Sequence, residues 1–289
     1  KNDKHHLLIE NYAERLFSGF LNETKLHTFC DGLSGILYLF EHLRKDDFID
    51  MDVSDTQSLI NNYLITRMRF DIQNQNYDFM HGALGVGLYF LKKRTNSEYI
   101  HELINFLHQT AEKDSECQSF KWKSIISHEQ NLIGYNLALS HGISSIIIFL
   151  SRVVNSDKKD AIIMEMLSAS VNYVLSQQKD LTQFGSFYPT YVSVNFQESV
   201  SKSRLAWCYG DLGICLALWQ AGKSVDNKEW KDKGLKILFE STKRRITSDT
   251  FVVDAGICHG SAGIALIYRR MYLETTMNEF KEATDFWIR

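Results

Sequence analysis

Gly82-Ala83-Leu84-Gly85-Val86-Gly87-Leu88-Tyr89-Phe90-Leu91 is apolar on nearly every side of a helix and closes in Lys92-Lys93-Arg94. A helix with no polar face has to be buried, so the stretch predicts a core helix entered through a Gly-x-x-Gly step. The same step, followed by an apolar run, recurs at Gly32–Gly35, Gly142–Ser145, Gly210–Gly213 and Gly260–Gly263, with Ser145 standing where the others have their second glycine. Successive first glycines fall 50, 60, 68 and 50 residues apart. Each interval holds an inner helix, a connection and a second helix. The intervening stretches Asp52 to Phe70, Asn96 to Lys113, Lys159 to Gln178 and Asp226 to Thr247 mix apolar and charged positions as surface helices do. The pattern predicts an all-α chain: an α/α toroid, with inner helices all entering from one end, an outer layer running the opposite way, and residues 1–289 forming one domain.

Composition narrows the function classes. With 32 basic and 35 acidic side chains the net charge is −3, and no sustained Lys/Arg block tracks a phosphate backbone, so nucleic acid is not an expected partner. The apolar run Ile143 to Leu150 falls short of the ~20 residues of a membrane span. The start Lys1-Asn2-Asp3-Lys4-His5-His6 has no apolar signal region, and its first residue is not Met, as in a trimmed chain. Five cysteines, Cys30, Cys117, Cys208, Cys215 and Cys258, are an odd number thinly spread. That usage fits a reducing cytoplasm in which thiols are free to bind metal. A single proline, Pro189, again favours helices.

In equivalent repeats the residues just ahead of each step converge at one end. They are Asp31, His81, His141, Tyr209 after Cys208, and His259 after Cys258. Trp207-Cys208-Tyr209 and Cys258-His259 head successive steps and become neighbours. Two thiolates and one imidazole with an open fourth position suit a catalytic zinc; copper or iron are open by ligand type, but no redox motif accompanies them. Cys30 and Cys215 are expected in the core.

Ser203-Arg204-Leu205-Ala206-Trp207-Cys208-Tyr209-Gly210-Asp211-Leu212-Gly213, Cys258-His259-Gly260-Ser261-Ala262-Gly263 and the upstream Ser140-His141-Gly142 closely resemble the lanthionine synthetase C-like (LanC-like) cyclase family, in motif order along essentially the whole chain. The resemblance implies an α/α toroid with one Zn(2+) held by Cys208, Cys258 and His259. It implies addition of a peptide cysteine thiol across dehydroalanine or dehydrobutyrine to close a thioether ring. His141 matches the family histidine assigned as acid/base, Arg204 and Tyr209 match residues lining the site, and Asp78 matches, more loosely, an acidic residue of the second repeat. The implied partners are a dehydrated precursor peptide and, as a further candidate, a dehydratase or other maturation enzyme.

The chemistry is coherent. A free thiol with a pKa near 8.5 is only a few per cent thiolate at neutral pH, and zinc removes the proton. The enolate left after addition needs a proton at the α-carbon, for which His141 is suited; Asp78 would orient and charge His141, and Arg204 would stabilise the enolate. Simpler duties compete: His141 capping its helix, Asp78 as a first-turn carboxylate at the helix dipole, and His81 as the participant in place of a neighbour. The aromatic, β-branched stretch Phe184 to Asn195 breaks the helical pattern and predicts a flap or hairpin beside the metal. Two other functions remain open, addition of glutathione or another free thiol to dehydro amino acids and a noncatalytic zinc-braced peptide scaffold; a toroidal glycosidase lacks a carboxylate pair. The family has seven helical repeats against five steps here, so at least one further inner helix is expected beyond Arg289.

Overall fold

The computed structural model describes residues 3–23, 26–49, 54–94, 97–127, 129–156, 160–194 and 201–289. The chain divides into two compact units, Lys1–Thr110 and Ala111–Arg289.

The first unit holds α1 (Asp3–Glu23), α2 (Leu33–Lys45), α3 (Ser54–Gln73), α4 (Ala83–Lys93) and α5 (Ser97–Thr110). In α4 every residue from Ala83 to Phe90 is buried, as a helix without a polar face requires. It packs against α2, α3 and α5, whose Leu37, Leu64, Met68, Leu103 and Leu107 are buried. Each such side chain contributes on the order of 2 kcal/mol of transfer free energy. The buried pair His27 Nε2–Asp71 Oδ2, at 2.7 Å, ties the loop ahead of α2 to α3.

The second unit opens with strands the sequence did not reveal. β1 (Glu112–Asp114) pairs with β2 (Ser119–Lys121), and β3 (Ser124–Ser127), β4 (Leu132–Asn136) and β5 (Tyr191–Ser193) form an antiparallel sheet in that order. Helices α6 (Ile143–Ser156), α7 (Ala161–Ser176), α8 (Leu181–Phe184), α9 (Asp211–Ser224), α10 (Lys228–Ser241), α11 (Thr247–Thr250), α12 (Ser261–Thr275) and α13 (Asn278–Trp287) follow. Of the flap or hairpin expected over 184–195, the hairpin is corrected: the segment does contain a strand, but it runs from α8 through an isolated bridge, Pro189 to Lys202, into β5, whose partner is β4. Asn195 lies outside the described residues, as do Asp52, Asn96 and Lys159, the first residues of three expected outer helices; α3, α5 and α7 begin just after them.

Inner and outer helices begin differently. The outer α7 and α10 have side-chain caps, Asp160 accepting from the Ile162 and Ile163 amides and Asn227 from that of Trp230, worth about 1 kcal/mol each. The inner α2, α4, α9 and α12 are headed by Gly32, Gly82, Gly210 and Gly260, with no side-chain cap bond. Their early amides bond to carbonyls of the loop that leads in: Leu33 to Leu26, Ala83 to Asn76, Gly213 to Ala206 and Ser261 to Asp254. The loop is thereby folded back over the helix N-terminus, and the residues just ahead of each glycine are held at the helix head.

Candidate metal centre

The heads of α6, α9 and α12 are joined by main chain. The Ser140 amide donates to the Cys208 carbonyl at 3.3 Å, reinforced by Ser140 Oγ at 3.1 Å, and the Cys208 amide donates to the Cys258 carbonyl at 3.4 Å. In the first unit the Cys30 amide likewise donates to the Met80 carbonyl at 3.0 Å. Each bonded residue lies two positions before its glycine, so one register links corresponding residues of successive repeats.

That register brings the predicted ligands together. One ligand atom each of Cys208, Cys258 and His259 lie within 4.8 Å of one another. In a tetrahedral site with Zn–S bonds of about 2.3 Å, two sulfurs stand roughly 3.8 Å apart, a spacing within that limit, so the three groups could hold a zinc ion. Two thiols and an imidazole are a donor set that suits that metal. Cys208 is buried, Cys258 partly so, and the His259 side chain is 44% exposed, so the cluster is closed on one side and meets solvent on the other. Burial, then the neighbouring Cys258, pushes the Cys208 thiol up to about 12, against the Tyr209 amide and the Arg204 charge. A metal that displaces the proton removes this obstacle.

The remaining predicted residues divide between the units. His141 heads α6 beside the centre, its ring 5.5 Å from that of Tyr209 with the planes at 35°. Arg204 is half-buried in the loop entering α9, and its charge acts on the Cys208 thiol. Asp78 and His81 belong to the first unit, where Asp78 Oδ1 accepts from the Met80 and His81 amides at 2.8 Å each. Cys215 is in the core of α9, as expected, whereas Cys30 is exposed, against expectation. Cys30 sits at a helix head, where its amide is held by the Met80 carbonyl while the residue is exposed.

At the first residue of α9, three positions after Cys208, lies a buried ion pair that composition does not reveal. Asp211 Oδ2 receives Arg244 Nη1 at 2.6 Å and the Phe187 amide at 3.1 Å, and Oδ1 receives the Tyr188 amide at 2.9 Å. Arg244 Nη2 donates to the carbonyls of Asp249, at 2.5 Å, and Ser203, and the Ser203 amide donates to Ser186 Oγ at 3.0 Å. One guanidinium thus ties the α8–β5 segment, the Arg204 loop and the α9 head together. Burial pushes Asp211 up to about 6, opposed by Arg244 and the two amides.

The loop into α12 is built around Asp254. Its Oδ1 accepts from the Gly256 amide at 2.6 Å, its carbonyl from the Ser261 amide at 2.9 Å, and its Oδ2 lies 3.3 Å from His259 Nε2. The sequence signal was Asp254-Ala255-Gly256, a turn whose place in the repeat shows only when the steps are aligned.

The profile of the lanthionine synthetase C-like protein family matches residues 1–289. The nisin biosynthesis protein NisC of Lactococcus lactis subsp. lactis is 25% identical over 304 residues, covering 95% of this chain and 70% of that protein. The solved structure of a nisin cyclase superposes with a TM-score of 0.76 at 22% identity, over 96% of this chain and 72% of that one. The likeness shows a shared fold, in keeping with the all-α toroid class expected from the repeats. Among the described residues no helix is long and apolar enough to cross a membrane.

Proposed function

The chain belongs to the lanthionine synthetase C-like family, and from that premise we propose that it is a zinc-dependent cyclase. It would add a peptide cysteine thiol to dehydroalanine or dehydrobutyrine, closing lanthionine or methyllanthionine rings in a ribosomal precursor. The observation that carries the reading is the convergence of Cys208, Cys258 and His259 beside the His141–Tyr209 pair. The names of the relatives, a nisin biosynthesis protein and a nisin cyclase, point the same way.

Cys208, Cys258 and His259 would hold the ion, which when bound supplies a substrate sulfur already deprotonated at neutral pH. The sulfur forms a bond to the β-carbon of the dehydro residue while the C=C π pair moves toward the adjacent carbonyl. His141 gives its proton to the α-carbon, and the thiol proton leaves to solvent, so the ring closes without change of mass. The tilted Tyr209 ring beside His141 would restrict its imidazole, and Arg204 would supply positive charge toward the developing enolate. Asp78 has a local duty in its own turn, and a share in catalysis is not needed for these steps. The dehydrated precursor is the substrate, and a dehydratase its source.

The test is a dehydrated peptide carrying one cysteine, incubated with the zinc-loaded protein. Loss of the alkylatable thiol at constant mass supports the reading. Uptake of added glutathione without ring closure would instead identify an intermolecular thiol-adding enzyme, and neither change would refute both.

A further inference from the structure

Asp254 occupies a position that recurs, six residues before the first glycine of its step. The corresponding residues are Asn76 in the second step and Asn136 in the third. All three close the same turn: Asn76 Oδ1 accepts from the Asp78 amide at 3.2 Å, Asn136 Oδ1 from the Ala138 amide at 2.9 Å, and Asp254 Oδ1 from the Gly256 amide at 2.6 Å. Asparagine therefore suffices for the turn. The fifth step alone of these three places a carboxylate there, and it is the step whose head carries His259.

The difference lies in the second polar atom. In Asn76 that atom is an amide nitrogen, and it donates to the His81 carbonyl and to Asp71 Oδ1. In Asp254 it is Oδ2, an acceptor, 3.3 Å from His259 Nε2. Oδ1 is committed to the Gly256 amide, and Gly260 allows the carboxylate to lie against the helix head, since a Cβ there would run into Oδ1. A carboxylate beside one ring nitrogen favours the proton on that nitrogen and leaves the other as a lone-pair donor.

We propose that Asp254 is a positioning residue that holds the Nε2–H of His259 and so leaves Nδ1 as the metal-binding atom. The inference rests on the zinc reading above and adds to it which nitrogen binds and what sets it. Asp254→Asn separates the two duties of the side chain. Its oxygen still accepts from Gly256, so the turn survives, while an NH2 donor now faces Nε2 and favours the opposite tautomer.

Zinc affinity is measured by competition with a chromophoric chelator, alongside the melting temperature of the metal-free protein. The expected result is 10- to 100-fold weaker zinc binding at an unchanged metal-free melting temperature. Equal zinc affinity in the two proteins overturns the inference. Nitrogen-15 histidine NMR of the zinc-loaded wild type, with His259→Ala to assign the resonance, decides independently of how the variant folds: metal on Nδ1 with a protonated Nε2 is expected. Zinc carried on Nε2 overturns this inference and leaves the metal reading intact, whereas a wild type that retains no zinc overturns both.

Discussion

The amide of Cys208 donates to the carbonyl oxygen of Cys258 at 3.4 Å. Fifty residues apart in sequence, the two thiols meet because the heads of α9 and α12 are joined by main chain, in the register that also joins Ser140 to Cys208. The Cys208, Cys258 and His259 cluster is thus a property of the repeat, and its geometry depends on how tightly each loop folds over its helix.

Gly210 tests that dependence. Its φ is +128°, and a Cβ there would collide with the Arg204 carbonyl. Gly210→Ala should lower stability by about 1–3 kcal/mol through strain and overpacking. Because the displaced residues flank Cys208, its zinc affinity should fall as well. Thermal unfolding with and without zinc measures both, and an unchanged melting temperature would show that the head has slack.

Replacing His141 by alanine removes the proposed proton donor but no metal ligand. Cyclisation should slow by about 10²- to 10⁴-fold, with zinc content and melting temperature near those of the wild type. Quenched time courses of thiol loss, read beside metal analysis, make the comparison; a wild-type rate would end the acid/base assignment.

Arg244→Met leaves Asp211 as a buried carboxylate without its cation, at an expected cost of about 3–5 kcal/mol near pH 8. The pH dependence has a definite sign. Burial raises Asp211 from the ordinary 3.8 to about 6 in the folded state, so the folded chain holds that proton more tightly than the unfolded one. The associated stability is present below about 4 and lost as pH passes 6. Removing the opposing guanidinium moves the folded value higher still. The difference between wild type and variant should therefore shrink as pH falls from 8 to 5, in denaturant unfolding at each pH.

The helices, and the meeting of Cys208 with Cys258 and His259, were legible because repeat spacing carries them. The Gly-x-x-Gly steps mark the starts of α2, α4, α6, α9 and α12 to within a residue, and aligning their heads brings Cys208 to Cys258-His259. β1 to β4 were not legible, since at three to five residues long they are too short for alternation to stand out; β5 lies inside the stretch read as breaking the helical pattern, but its partner is a strand more than fifty residues earlier. Arg244 lies within Lys243-Arg244-Arg245, which resembles a solvated run, yet it is buried; only the fold reveals the carboxylate waiting for it. Asp254 was missed for another reason, since its meaning comes from the contrast with Asn76 and Asn136 at the same place in the repeat.

Metal analysis of the purified protein tests the central claim most directly. One zinc per chain is predicted, retained on dialysis at neutral pH, released progressively as acid returns protons to the thiols, and lost in Cys258→Ala. A wild-type chain without roughly stoichiometric zinc, or full retention in Cys258→Ala, would contradict the account.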